Sequence, residues 1–185
     1  MESITEFRPD AVRILVVDDD LDLRMTLADY LDSLGFSVES ARSGGDAVGL
    51  LSAKDNSFDI VVTDLMMPGV DGLAVLRTAR RVNPLSHVVV MTGYSSLKTA
   101  IESVRSGAFD YLTKPFELVQ VEIVVNRIVE NQRLASDNRR LNRKVSMLTE
   151  GHQLVEARLS AIENLLSSLV ANVDKRDNVL TSLDI

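Results

Sequence analysis

The sequence predicts an α/β domain with a doubly wound, five-stranded parallel sheet, followed by a long α-helical coiled coil. Short apolar runs rich in β-branched residues alternate with helical patterns as far as Phe116. All four Pro and all eight aromatic residues (five Phe and three Tyr) lie at or before that position, and Gly151 is the only Gly or Pro beyond it. We therefore expect a tail over residues 1–10, a compact domain over 11–130 whose last helix continues onward, and a coiled-coil helix over 131–185.

The predicted strands are runs of four to six residues dominated by Val, Ile, Phe and Leu. They are Val12–Val17, Phe36–Glu39, Phe58–Thr63, His87–Thr92 and Ala108–Thr113. Strands that alternate with helices form βαβ units, so we expect parallel pairing and helices on both faces of the sheet.

Helical patterns occupy the segments between the strands. In the first of them an apolar face is formed by Leu23, Leu27, Tyr30, Leu31 and Leu34. Gly35 follows this face directly and is a typical helix stop. The other predicted helices are Gly45–Ala53, Gly72–Arg81 and Ser95–Ser106, the last closed by Gly107.

Polar residues follow the carboxyl ends of the predicted strands, where ligands gather in folds of this class. Asp18–Asp20 follow the first strand, Asp64 follows the third, Thr92 ends the fourth and Lys114 follows the fifth. Asp20 is most simply a helix cap. The other carboxylates would repel one another without a cation, and Mg²⁺ prefers such oxygen ligands. An Asp nucleophile, Mg²⁺, a Lys and a Thr are the parts needed to transfer a phosphoryl group onto a carboxylate.

Four segments in order resemble the receiver domain of bacterial two-component response regulators. They are ILVVDDD (14–20), DIVVTDLMMPGVDG (59–72), VVVMTGY (88–94) and YLTKPF (111–116). The resemblance implies a flavodoxin-like fold and a cytoplasmic signalling protein. It also implies that a sensor histidine kinase or phosphotransfer protein donates the phosphoryl group, and that the chain is no enzyme beyond its own Mg²⁺-dependent phosphotransfer and dephosphorylation.

The resemblance also assigns the site residues. Asp64 is then the phosphoacceptor. Asp18 and Asp19 hold Mg²⁺ together with Asp64 and the backbone carbonyl of Met66.

Three further residues take roles from the same resemblance. Thr92 and Lys114 would hold phosphoryl oxygens, and Lys114-Pro115 matches the cis peptide of the family. Thr92 and Tyr111 occupy its switch positions.

One alternative comes from a different class of protein. Asp18-x-Asp20 after a strand also resembles the start of the haloacid-dehalogenase-type phosphohydrolases, in which the first Asp is the nucleophile. That interpretation leaves Asp64 and Lys114-Pro115 without a role.

A seven-residue repeat begins at Leu134 and predicts a coiled coil. One core row holds Leu134, Leu141, Leu148, Val155, Ile162 and Leu169, and the other holds Asn138, Val145, His152, Leu159, Leu166, Val173 and Leu180. Eleven of these thirteen residues are apolar. A single helix cannot bury such a stripe, so we expect a parallel homodimer.

The path and the purpose of this helix stay open. Gly151 either sits within a continuous rod or breaks it into a hairpin. The sequence shows no signature of an effector domain, so the helix is expected to lead to an effector missing from this chain. Alternatively, the receiver stands alone and acts by dimerisation and partner docking.

Composition excludes several classes of function. The net charge of −7 argues against direct binding of nucleic acid, and the absence of Cys excludes disulfides and thiolate metal sites. No apolar run approaches the ~18 residues of a membrane span, and the N-terminus shows no secretion signal. These features favour a soluble, cytoplasmic protein.

Overall fold

The computed structural model describes residues 11–54, 56–93 and 105–181, with side chains as far as residue 168. Within these residues lies a sheet of five parallel strands in the order β2-β1-β3-β4-β5. The strands are β1 (Arg13–Val17), β2 (Ser37–Ala41), β3 (Ile60–Asp64), β4 (His87–Thr92) and β5 (Asp110–Thr113). The predicted doubly wound parallel sheet is confirmed.

Helices cover both faces of this sheet. They are α1 (Leu21–Ser33), α2 (Gly44–Ser52), α3 (Gly72–Val82) and the long α4 (Leu118–Thr181). Gly35 has a φ of 91° just after α1, which fits the predicted helix stop. The helix predicted over Ser95–Ser106 lies almost entirely outside the described residues.

Pairing with a neighbouring strand, rather than apolar character, sets several strand ends. The third strand extends one residue beyond the prediction because Asp64 pairs with Met91 of β4. The second was predicted to end at Glu39 but runs to Ala41, which pairs with Val17. An apolar pattern in the sequence misses such ends because the backbone pairing continues through polar residues such as Ser40 and Asp64.

Alternate residues of each central strand pack into two separate hydrophobic cores, one on each face of the sheet. In β1, Ile14 and Val16 pack on the face covered by α1 and the start of α4, whereas Leu15 and Val17 pack on the face covered by α2 and α3. All four side chains are fully buried. This alternation follows from strand geometry, in which successive side chains point to opposite faces of the sheet.

The two edge strands carry acidic residues that are paired with arginines. Glu39 of β2 forms an ion pair with Arg13 of β1. Asp110, the first residue of β5, forms an ion pair with Arg127 of α4. Each edge therefore presents a charged, compensated side chain rather than an apolar one.

The chain divides into two units with the boundary between Gln132 and Arg133. In the first unit, α4 contributes Val121, Val125 and Ile128 to the core, each fully buried. In the second unit the helix continues without interruption through Gly151, so a rod is found rather than a hairpin. Among the described residues no helix combines the length and apolar character needed to cross a membrane.

Candidate functional site

Three carboxylates meet at the carboxyl edge of the sheet. Asp18 directly follows β1, and Asp64 is the last residue of β3, the strand paired with β1. One carboxylate oxygen from each of Asp18, Asp19 and Asp64 can be chosen so that all three oxygens lie within 4.8 Å of one another. Asp18 is fully buried and Asp64 nearly so, whereas Asp19 is exposed. The sequence-based grouping of these acids at one sheet edge therefore holds in the structure.

Lys114 is the cation that faces this acidic group. Its Nζ lies 2.7 Å from Oδ2 of Asp18 and 3.3 Å from Oδ2 of Asp64. Its backbone N–H donates to the carbonyl of Thr92 (2.8 Å), which ties it to the end of the neighbouring strand. The Lys114-Pro115 peptide is cis, as the resemblance implied.

The Asp64 carboxylate is largely buried, and one of its oxygens accepts no hydrogen bond from the described residues. Burial raises the pKa of its carboxyl and Asp18 raises it further, while Lys114 opposes both effects. Its Oδ1 is buried and has no hydrogen-bond partner among the described residues. A buried carboxylate oxygen without a donor is costly, and a cation placed there would remove that cost.

Lys114 is held in its charged form. Burial lowers its pKa, but hydrogen bonding and charge attraction from Asp18 and Asp64 outweigh burial and leave the pKa raised. Two buried carboxylates facing one ammonium group leave a net negative pocket. This donor set consists of oxygens only and fits Mg²⁺.

Arg24 is a residue that the sequence analysis missed. It lies on the buried face of α1, and its Nη1 donates to the backbone carbonyl of Asp18 (2.6 Å). This bond and the Asp20 N–H, which donates to Oδ1 of Asp18 (2.9 Å), fix the position of Asp18. The available signal was the spacing of Arg24 with Leu27 and Leu31 on the face of α1 that packs against the sheet.

Asp20 acts as a helix cap, as expected. Its Oδ1 accepts from the N–H groups of Asp22 (3.0 Å) and Leu23 (3.1 Å) at the start of α1. The phosphohydrolase alternative needs this residue beside a nucleophilic Asp18. Because Asp20 is engaged in capping α1, and because that alternative leaves Asp64 and Lys114-Pro115 without a role, the geometry does not favour it.

The remaining predicted site residues lie around the pocket. Thr92, at the end of β4, is buried one position beyond the residue that pairs with Asp64. Met66, whose carbonyl is the expected ligand, has an exposed side chain, and its backbone N–H helps to lower the pKa of Asp64. Tyr111 of β5 is 39% exposed, so its ring is not packed in the core. The roles of these three residues stay predictions.

Comparisons with known proteins agree with this geometry. Residues 14–126 match the family model described as the response regulator receiver domain. The chain is 32% identical over 172 residues to the C4-dicarboxylate transport transcriptional regulatory protein DctD of Rhizobium meliloti, covering 93% of this chain and 37% of that protein. It is 34% identical over 146 residues to the regulatory protein AtoC of Escherichia coli, covering 78% of this chain and 31% of that protein. The chain thus spans about a third of the length of these relatives.

Solved structures give the same result. The response regulator receiver domain protein from Clostridium thermocellum superposes with a TM-score of 0.62 at 31% identity, over 67% of this chain and 98% of that chain.

The sequence match with DctD extends beyond the first unit of the chain. It covers 172 residues, which is more than the 132 residues of that unit, Met1–Gln132. The similarity to DctD therefore includes part of the long helix.

Proposed function

The chain belongs to the response regulator receiver domain family, and on that premise we propose that Asp64 accepts a phosphoryl group from a sensor histidine kinase or phosphotransfer protein. The observation that carries this proposal is the buried Oδ1 of Asp64, which lies beside Asp18 and Lys114 and has no hydrogen-bond partner among the residues that the structure describes. A carboxylate oxygen of Asp64 attacks phosphorus, the P–N bond of the donor phosphohistidine breaks, and its electron pair stays on the imidazole. The product is an acyl phosphate on Asp64.

The other residues of the pocket support this transfer. Asp18, Asp19, Asp64 and the Met66 carbonyl would hold Mg²⁺, which when bound neutralises charge on the phosphoryl oxygens. Lys114 already contacts Asp64, so it can move from the carboxylate to a phosphoryl oxygen without a change of backbone. The Thr92 hydroxyl donates to another of these oxygens.

The same event sets a switch. Phosphorylation replaces the single negative charge of the Asp64 carboxylate with an acyl phosphate of about −1.5 to −2 charges, and the new oxygens draw Thr92 toward them. Tyr111, exposed in this structure, then turns inward to fill the space that Thr92 leaves. Such a change biases two states of one fold rather than making a new one.

We further propose that the helix beyond Arg133 pairs with a second copy of the chain. The apolar heptad-core residues up to Leu166 are all at least 52% exposed in the single chain. They are Leu134, Leu141, Val145, Leu148, Val155, Leu159, Ile162 and Leu166. A parallel two-stranded coiled coil would bury this stripe, and Asn138 within it would fix the register.

A proposal for the output rests on the relatives rather than on the site. DctD is named a transcriptional regulatory protein and is far longer than this chain. We propose that the dimeric helix transmits the phosphorylation-dependent change to a transcriptional effector domain. This would take place in the cytoplasm. Residues 1–185 themselves would make no direct contact with nucleic acid.

Labelling with a small phosphodonor and Mg²⁺ tests the central proposal. The chain should gain one alkali-labile phosphate, and Asp64→Asn should lose it, while a change at the exposed Asp46 of α2, Asp46→Asn, should keep it. Mass spectrometry of the labelled peptide locates the phosphate. Label that persists in Asp64→Asn, or that maps to Asp18, would contradict the proposal.

A further inference from the structure

The loop between β3 and α3, residues 65–71, lies next to the phosphorylation pocket, and we call it the acceptor loop. Backbone hydrogen bonds fix its ends: Leu65 N–H donates to the carbonyl of Met91 (2.8 Å), and Gly72 N–H donates to the carbonyl of Leu65 (3.0 Å). The Met66 carbonyl, the expected metal ligand, lies just inside the first of these bonds. Small displacements of the loop therefore move a ligand of the proposed site.

At two glycines, Gly44 and Gly72, the backbone packs so closely against this loop or the residue before it that no side chain would fit. A Cβ added at Gly44 would lie 2.0 Å from the carbonyl oxygen and 2.8 Å from the carbonyl carbon of Val70. A Cβ added at Gly72 would lie 2.1 Å from the carbonyl oxygen of Asp64. Both contacts are with backbone atoms, so rotating a side chain cannot relieve them.

The α2 side of the first contact is anchored. Gly44 is the first residue of α2, and the helix buries Ala47 and Leu51 in the core. The strand before it is tied to the pocket, because the carbonyl of Ala41 accepts from the Asp18 N–H (3.3 Å). Val70 is only half-buried, so a side chain at position 44 would displace the acceptor loop rather than α2.

We propose that Gly44 is a positioning residue for phosphoryl transfer: by lying against Val70 without a side chain, it lets the acceptor loop hold the Met66 carbonyl at the metal site. The inference rests on the proposed function and extends it to α2, which contributes no residue to the pocket itself. Gly72 holds the other end of the loop against Asp64 in the same way.

The chain supplies matched controls for a test. Gly49 lies in the same helix, and a Cβ added there meets nothing within 4 Å among the described residues. Ala47→Gly weakens α2 without adding a clash. The Mg²⁺ dissociation constant of each variant, measured by isothermal titration calorimetry, is the main readout, with the melting temperature and the phosphodonor labelling rate beside it.

Gly44→Ala should raise the Mg²⁺ dissociation constant roughly tenfold or more, as loss of outer support does at metal sites. Gly49→Ala and Ala47→Gly should stay close to wild type although their melting temperatures move in opposite directions. Equal Mg²⁺ binding in Gly44→Ala and Gly49→Ala would overturn the inference. So would a Mg²⁺ affinity that simply follows melting temperature across the variants.

A second variant covers the case in which Gly44→Ala does not fold. Val70→Gly keeps the backbone contact but gives the half-buried acceptor loop more conformational freedom beside Gly44, so it should weaken Mg²⁺ binding with little change in melting temperature. Unchanged binding in Val70→Gly would then overturn the inference. A wild-type chain that binds no Mg²⁺ would overturn the proposed function as well, whereas normal wild-type binding confines any failure to Gly44.

Discussion

The unit that ends at Gln132 and the helix that follows it differ in what their apolar side chains contact. In the first, Ile14, Leu27 and Ile128 are fully buried by the same chain. In the second, Leu134 is 52% exposed and Leu148 74%. The described residues of the first unit bury their own apolar core, so the chemistry of its pocket can be inferred from one chain. The apolar stripe of the helix is exposed in one chain, so we expect its function to depend on the proposed pairing with a second copy.

The charged groups of the two units also differ in burial. The first unit buries Asp18 and Asp64 against Lys114, where a missing partner leaves an uncompensated charge. On the helix, Asp137 and Arg140 form an exposed ion pair, which contributes little to stability. The following predictions, from the largest effect to the smallest, test this contrast.

Removing the pocket cation should have the largest effect. Lys114→Met leaves two buried carboxylates without their counter-charge, so the free energy of unfolding of the metal-free chain should fall by about 3 kcal/mol. Urea unfolding measures it. Arg140→Met is the control on the helix and should change stability by less than about 0.5 kcal/mol. Similar losses in both variants would contradict the division described above.

A charge in the heptad core should disrupt assembly. Val155 and Leu154 are similarly exposed neighbours, 66% and 60%, but only Val155 lies in a core row. Val155→Asp should weaken the dimer by about 2–3 kcal/mol, or roughly a hundredfold in dissociation constant, by burying an unpaired charge. Leu154→Asp should leave the dimer nearly intact. Sedimentation equilibrium measures the dimer dissociation constant of each variant. Equal weakening of the dimer by both variants would mean that the helices do not pair through the heptad core.

Replacing the glycine within the rod should have a smaller, stabilising effect. Gly151 lies inside a continuous helix, so Gly151→Ala should stabilise that helix by about 1 kcal/mol. Circular dichroism at 222 nm during thermal melting would show a higher midpoint for the helical segment. A lower midpoint is the result expected of a hairpin turn and would contradict the continuous rod.

The last predicted effect is about as large and depends on pH. Because the pKa of Asp64 is raised in the folded chain by burial, its ionisation costs stability, and its contribution falls as pH rises through that raised pKa. Asp64→Asn should therefore stabilise the metal-free chain by about 1 kcal/mol at neutral pH. The difference should vanish in acid, where Asp64 is protonated in both folded and unfolded chains. A difference that is independent of pH would point to packing instead of charge.

Sequence reasoning predicted the parts of the site that follow from strand order. Asp18, Asp64 and Lys114 each end or follow a strand, and parallel strands bring their carboxyl ends to one edge. The apolar, β-branched runs and the period of seven likewise predicted the sheet and the long helix. These features depend on local patterns that repeat along the chain.

What the sequence did not predict depends on contacts between distant segments. Arg24 matters because its guanidinium reaches one backbone carbonyl, and Gly44 matters because Val70 approaches it. Neither contact leaves a periodic signal. The ends of β2 and β3 were misplaced for the same reason, since Ala41 and Asp64 are in strands only through their partners.

The charged edges of the sheet bear on how the protein behaves at high concentration. β5 has only four residues and begins at Asp110, and β2 carries Glu39 at its centre. Short, charged outer strands are poor templates for the addition of further strands, which is the route to fibrils. Crowding should therefore favour reversible helical association over irreversible β-aggregation, and solubility should depend more on the exposed leucines of the helix than on the sheet.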